Sequence, residues 1–300
     1  MSKLTYQLGI LITILLGAIL NYYYCCNMEE EIVVEEIVSE PVIEPTKNPF
    51  LVQDANGNLD VKVNDNFNFQ ASEMVILEPL SERVIGGVTE LSAYLAEHPD
   101  KSVSITGYYK GDEVNHTAYP NLGLARAGAV KNYFVSKGIS SRIIDTHGKL
   151  YDGMVPDADN IYYGPVEFAV ATTGDHGDLD ALADEINKDP LVLNFGIDKF
   201  VINLTEEQRH KFAKISRYLD KAEGSTCNIV GHTDTTGPED HNMVLGKERA
   251  DFAKAYLVRH HIPESKVITV SKGSSEPIAD NSTTEGRAAN RRTIVTVNKP

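Results

Sequence analysis

The spacing of hydrophobic and polar positions changes several times along this chain, and each change marks an element. Residues 8–20 are apolar and uncharged, and the uncharged stretch continues through Tyr22, Tyr23 and Tyr24 to Cys26. Tyr6 to Cys26 is about long enough to span a hydrocarbon core, which takes roughly 20 helical residues. The pattern then turns polar: Glu29, Glu30, Glu31, Glu35, Glu36, Glu40 and Glu44 crowd together with Pro41, Pro45 and Pro49. Such a stretch has too little apolar surface for a core and reads as an extended, solvated tether. Val52 to Val61 alternates around Asn56-Gly57, a strong short hairpin signal. Asp54, Asn56, Asn58 and Asp60 faintly resemble a calcium loop, but the glycine is misplaced and no glutamate closes it, so no metal is expected.

Further on, strand and helix periods alternate. Leu191 to Phe195 predicts a short apolar strand. Thr205-Glu-Glu-Gln208 is a capping box that opens a helix whose buried face is Phe212, Ile215 and Leu219. Thr226 to Gly231 predicts a strand, Asn242 to about Arg259 a helix with Leu245, Phe252 and Tyr256 as its apolar stripe. Lys266–Ser271 and Thr293–Val297 predict strands, with a short helix over Thr284–Ala289 between them. This order implies a two-layer α/β sandwich, one mixed sheet with helices packed on one face.

The order occurs twice. Ser102-Val-Ser-Ile-Thr-Gly107-Tyr-Tyr leads to Leu122-Gly-Leu-Ala-Arg126-Ala, then Tyr133, Gly138 and Ile139. Cys227-Asn-Ile-Val-Gly231-His-Thr-Asp leads to Leu245-Gly-Lys-Glu-Arg249-Ala, then Tyr256, His261 and Ile262. A tandem repeat is the reading. The expected organisation is an anchor at 1–26, an acidic linker at 27–50, a hairpin plus degenerate domain at 51–172, a linker at 173–189 and a second domain at 190–300. The fold class is thus α/β, two tandem two-layer sandwiches after one transmembrane helix.

Composition narrows the function. The net charge of −15 over 300 residues repels phosphates, which argues against nucleic acid. Three cysteines, Cys25, Cys26 and Cys227, give neither a disulfide framework nor metal-ligand spacing. Lys3 precedes the apolar run and the glutamates follow it, so positive-inside logic puts the N-terminus in the cytoplasm and the rest beyond the membrane. No A-x-A-like cleavage site follows the run, and Tyr24 stands where a lipidated cysteine would need small residues.

The candidate chemistry is one acid and one base. Asp234 lies just past a strand in a glycine-bounded loop; Asn242 and Arg249 lie two helical turns apart on nearly one face. A carboxylate takes an ammonium and a guanidinium takes a carboxylate in a two-pronged fork, so the two together suit a zwitterion. The plainer alternative is an Asx-type turn at Asp234-Thr-Thr-Gly, with Arg249 merely bridging to Asp234. The halves differ here, for Lys110 stands opposite Asp234 and no Asn-Arg-Arg ending follows the first. Two cations cannot hold an ammonium.

The set Gly231-His-Thr-Asp234-Thr-Thr-Gly237, Asn242, Leu245, Arg249-Ala250, Pro277 to Asn281 and Asn290-Arg-Arg292 resembles the OmpA-like C-terminal domain. That resemblance covers roughly Leu191 to Val297, with a weaker echo over Asp65 to Val170. Gly246-Lys-Glu departs from the commoner Leu-Ser-x-x-Arg pattern. The resemblance implies a non-catalytic periplasmic module that holds peptidoglycan, with Asp234 and Arg249 gripping the diaminopimelate of the stem peptide. It also implies supporting contacts from Thr236, Gly237, Asn242 and Arg292, and weakly from Asp198. No cofactor is implied; the first domain would serve as a relic or meet an envelope-protein partner. The alternatives are a scaffolding envelope protein that does not bind wall, and a metal-dependent hydrolase using His232, Asp234, Asp240 and His241. The latter lacks any H-E-x-x-H, nucleophile elbow or phosphate loop.

Overall fold

The computed structural model describes residues 3–25, 44–54, 59–174, 177–196 and 202–300. Most of the expected tether, the Asn56-Gly57 turn and Asp198 lie outside the described residues. The chain divides into two compact units, residues 1–43 and 44–300. The first contains helix α1 (Lys3–Cys25), within which Tyr6–Cys25 is long and apolar enough to cross a membrane, with a mean hydropathy of 1.8. Leu8, Ile10, Leu11, Ile12, Ile14 and Leu15 place apolar side chains on every face of that helix. An amphipathic surface helix would keep one face polar.

The second unit opens with β1 (Phe50–Gln53) and β2 (Asp60–Val63), paired antiparallel from Phe50–Val63 to Gln53–Asp60 as the alternation predicts. Then come β3 (Phe69–Gln70), α2 (Glu82–Glu97), β4 (Lys101–Tyr109), α3 (Leu122–Ser136), β5 (Ile144–Leu150), β6 (Ile161–Tyr162) and β7 (Val166–Thr172). These are followed by α4 (Leu179–Lys188), β8 (Leu191–Asn194), α5 (Glu206–Lys221), β9 (Thr226–His232), α6 (Glu239–Arg259), β10 (Val267–Gly273), α7 (Thr284–Asn290) and β11 (Arg292–Asn298). The capping box at Thr205 and Gln208 forms in both directions.

One sheet has the order β5-β4-β7, the other β10-β9-β11-β8. In both, the central strand runs parallel to the strand after its helix and antiparallel to the last. The second sheet gains a fourth strand because β8 pairs with β11 from Leu191–Val295 to Asn194–Arg292. The first half places the β1–β2 hairpin outside its sheet instead.

Helix α6 differs from its expected apolar stripe. Its buried face is Asn242, Gly246, Arg249, Ala250, Ala253, Tyr256 and Leu257, while Leu245 and Phe252 are only half-buried. Small residues occupy this face because the helix lies close against the sheet. A Cβ on Gly231 would meet the carbonyl oxygen of Gly246 at 1.9 Å, and one on Gly107 would meet that of Gly123 at 2.0 Å. Both halves therefore bring strand and helix backbones into direct contact at a glycine pair, a closeness no side chain permits.

The stretch expected as a linker at 173–189 holds α4 instead of bare chain. Asp178 caps it through Ala181 N at 2.9 Å, and Ala183 and Ile186 are buried in the second core. Leu179, Leu182, Ala183 and Ile186 carry helical spacing, a periodic signal outweighed in the sequence by the flanking charges.

The two halves are also packed together. One apolar cluster runs from Met74, Tyr119 and Leu122 to Leu193, Phe212, Tyr218 and Tyr256. Tyr119 meets the Phe212 ring edge-on at 5.0 Å and donates its hydroxyl to the His260 carbonyl at 3.0 Å. Buried Lys131 pairs with Asp220 at 2.5 Å, and buried Lys221 with Asp145 at 2.9 Å. Lys221 also donates to the carbonyls of Arg142 and Ile144, both at 2.8 Å. Both of these buried ammonium groups are thus paired by the other half, and breaking one pair would strand a charge.

Candidate functional site

Strand β9 delivers its last residues, His232 and then Thr233-Asp234, to one end of the second sheet. Thr233 N donates to the Gly273 carbonyl at 2.9 Å, tying the loop to the end of β10. Asp234 Oδ1 accepts from Thr236 N at 2.9 Å, the Asx-type turn foreseen in the sequence. Gly237 takes a φ of +89°, and the chain turns there into α6, which starts at Glu239 without a side-chain cap.

The acid's other oxygen has a partner that the sequence reading passed over. Arg291 Nη1 donates to Asp234 Oδ2 at 2.8 Å, with side-chain exposures of 11% and 13%. Burial alone would raise the Asp234 carboxyl, but Arg291 and the Thr236 bonds outweigh it and hold it below the usual aspartate range. Asp234 is therefore an anion at neutral pH. Arg249 is buried and donates from Nη1 to the His232 carbonyl at 3.2 Å. His232 is pushed down to about 4 by burial and then by the nearby Arg292, so its imidazole is neutral at neutral pH.

Behind this pair, Asn290 acts as a staple. It is fully buried, accepts from Ile278 N at 2.8 Å and Ala279 N at 3.1 Å, and donates to Asn281 Oδ1 at 2.9 Å. Asn281 Oδ1 accepts in turn from Thr235 N at 3.3 Å. Arg292, the first residue of β11, points inward and donates from Nη2 to the Glu276 carbonyl at 3.1 Å. Burial lowers its guanidinium from the ordinary arginine value.

Buried polar atoms without a hydrogen-bond partner concentrate at this end of the sheet. Among the described residues they include His232 Nδ1, Thr233 Oγ1, Asn242 Nδ2, Arg291 Nε, Arg292 Nε and Thr293 Oγ1. Thr293 faces Gly231 across the sheet, Gly273 faces His232, and the backbone of Asn242 lies beside Gly273. Folded proteins leave few buried polar groups unpaired, so such a concentration is the signature of a polar site.

The structure brings Asp234, Asn242, Arg249 and Arg292 to this end, with Thr236 and Gly237 exposed in the loop at its rim. Asn290 and Arg291 stand in the quoted Asn-Arg-Arg motif without a role assigned from the sequence, and His232 enters there only as a ligand in the hydrolase alternative. The Asn-Arg-Arg run was itself a signal, but consecutive residues entering a strand serve different faces, and only Arg292 was taken as functional. Among the described residues, no three His, Cys, Asp or Glu side chains gather as metal ligands do.

The corresponding place in the first half is filled. Arg126 is fully buried and forks onto the Glu113 carboxylate, at 3.1 Å from Nη1 and 2.5 Å from Nη2. It also donates to the carbonyls of Glu73, Tyr108 and Gln70, between the Phe69 and Tyr162 rings at 5.6 and 5.4 Å. Lys110, opposite Asp234, pairs with Asp112 at 3.2 Å. Since Val166 faces Gly107 as Thr293 faces Gly231, Gly164 and Pro165 occupy the places of Arg291 and Arg292.

Comparison with known proteins places a family at this site. Residues 194–291 match the model of the OmpA family, so the chain carries an OmpA-like domain there. Outer membrane porin F of Pseudomonas fluorescens is 34% identical over 36% of this chain and 32% of its own length. Outer membrane protein A of Bordetella avium is 38% identical over 34% of the chain and 52% of its own length. The peptidoglycan-binding protein ArfA of Mycobacterium bovis is 40% identical over 28% of the chain and 27% of its own length. The chain thus spans about half or less of these relatives. A crystal structure of the peptidoglycan-associated lipoprotein from Burkholderia pseudomallei is 22% identical, over 36% of this chain and 89% of that one, at a TM-score of 0.32.

Proposed function

We propose that this protein is a non-catalytic component of the cell envelope that binds peptidoglycan through the diaminopimelate of the stem peptide and ties a membrane to the wall. The observation that carries the reading is the group of buried, unpartnered polar atoms around an anionic Asp234 and the buried Arg249. Diaminopimelate carries both an ammonium and a carboxylate. Asp234 takes the first, and Arg249 takes the second as a fork. Asn242, Thr236, the Gly237 backbone and Arg292 supply supporting contacts. The match to the OmpA family and the name of the mycobacterial relative support the same reading.

Each charge-assisted hydrogen bond contributes about 1.5–3 kcal/mol when partly shielded. A few of them give a single grip of roughly micromolar strength. Repetition along a polymeric wall raises the effective concentration and multiplies that grip. Helix α1 anchors the chain, and the second unit stands on the periplasmic side. The first half is a degenerate copy, with its arginine closed by Glu113, and serves as a support or a docking face for an envelope protein.

Sedimentation with purified diaminopimelate-type sacculi tests the reading. Asp234→Ala and Arg249→Ala are each expected to weaken binding at least about tenfold, equivalent to roughly 1.4 kcal/mol. Unchanged sedimentation in both variants, with the fold intact by circular dichroism, would overturn it.

A further inference from the structure

Arg291 lies on the protein side of Asp234, and nothing in the wall-binding reading requires it. Three observations give it a purpose. Its bond at 2.8 Å fixes Oδ2, while Thr236 N fixes Oδ1 at 2.9 Å, so the carboxylate is held at both oxygens. A carboxylate offers about four acceptor positions. Arg291, Thr236 N and the Thr236 side chain use three of these, and about one remains for a donor from outside. The neighbouring Asn290 reaches the same loop by a second route, through Asn281 Oδ1 to Thr235 N. The dipeptide Asn290-Arg291 thus braces the Asp234 loop from both its acid and its backbone.

The third observation is the comparison within the chain. The first half keeps the strand, the helix, the glycine contact and the buried arginine. It loses Asp234 to Lys110 and Arg291 to Gly164, so both members of this ion pair are absent together. Arg291 accordingly belongs with Asp234 and not with the fold.

We propose that Arg291 is a positioning residue for wall binding, holding the Asp234 carboxylate aimed so that its remaining acceptor position meets the ammonium of the ligand. The inference rests on the wall-binding reading above. Arg291 does not touch the ligand in this scheme; it acts through Asp234.

The test measures binding of the full chain to diaminopimelate-type sacculi from pH 3 to pH 8 for the wild type, Arg291→Met, Arg291→Lys, Asp234→Asn and the double variant Arg291→Met/Asp234→Asn. Arg291→Met is expected to weaken binding roughly tenfold at neutral pH and to move the acid-side loss of binding to higher pH. Titration of the wall itself is common to all variants and cancels in the comparison. Arg291→Lys, which keeps a cation, restores most of both. In the double variant, the methionine adds no further loss, because there is no carboxylate left to position. Should Arg291→Met fail to fold, Arg291→Gln, which keeps a donor but no charge, is read in its place: weakened binding with the acid-side loss moved to higher pH supports the inference, and wild-type behaviour overturns it. Wild-type affinity and an unmoved acid profile in Arg291→Met, with binding lost in Asp234→Asn, would overturn the inference and leave wall binding standing. Undiminished binding in Asp234→Asn would overturn the wall-binding reading and this inference with it.

Discussion

Arg126 and Arg249 occupy the same place in two similar frameworks, and their surroundings are opposites. Around Arg126 the chain supplies a carboxylate fork, three carbonyl oxygens and two aromatic faces. Around Arg249 lie a neutral histidine and several buried polar atoms of neighbouring residues that have no hydrogen-bond partner among the described residues. The first arrangement is closed and spends its charge on holding the fold together. The second keeps hydrogen-bonding capacity in reserve beside an anion. An arginine of this kind therefore identifies a binding site only through what surrounds it.

The sharpest way to break this contrast is to remove each arginine. Arg126→Ala strands the buried Glu113 and is expected to lower unfolding stability by roughly 3–5 kcal/mol. Arg249→Ala gives up the bond to the His232 carbonyl among its contacts and is expected to cost less than loss of the carboxylate fork, about 1–2 kcal/mol. Urea denaturation of the two variants measures the difference, and equal losses would erase the distinction between closed and open sites.

A smaller effect comes from acid, at the contact between the halves. His261 is pushed down to about 4 by burial and then by Lys131 and His260, against an ordinary value of 6.5. The folded state thus holds fewer protons than the unfolded state between those values. Its contribution to stability is complete above about 6.5 and is lost as pH falls toward 4. His261→Gln should flatten the decline between pH 7 and pH 4.5 in urea unfolding, and an unchanged slope would remove this histidine from the account.

The smallest expected effect is a null. Lys110→Asp restores an acid opposite Asp234, yet Glu113 still fills the Arg126 fork. Binding capacity on sacculi, measured per chain at saturation, should not rise. A doubling would mean that the first half is closed by Lys110 alone.

Much of this framework was legible in the sequence. The hairpin strands, the capping box at Thr205, the two strand–helix–strand runs and the spacing of Asp234, Asn242 and Arg249 all follow from local periods and short-range chemistry. Helix α4 was not read, because its apolar positions are few and its flanks are charged. The pairing of Asp234 with Arg291 was equally hidden. Those residues are distant in the chain and meet only because β11 returns antiparallel beside β9. The fusion of the halves depends on Lys131, Lys221, Asp145 and Asp220. Singly, each of these charges looks like an ordinary surface residue until packing buries it.

The glycine contact between β9 and α6 has a consequence for selectivity. Gly231 precedes Asp234 by three residues and Gly246 precedes Arg249 by three, so both proposed jaws project from the one point where the two backbones touch. Pliers with a fixed rivet have a jaw separation set by the rivet and not by the hand. On the proposed wall-binding reading, a site built this way would measure length: it would admit a molecule whose two charges stand the right distance apart and gain little from one that is shorter or longer. Any side chain introduced at the rivet would change the calibration of that gauge while leaving both charges in place.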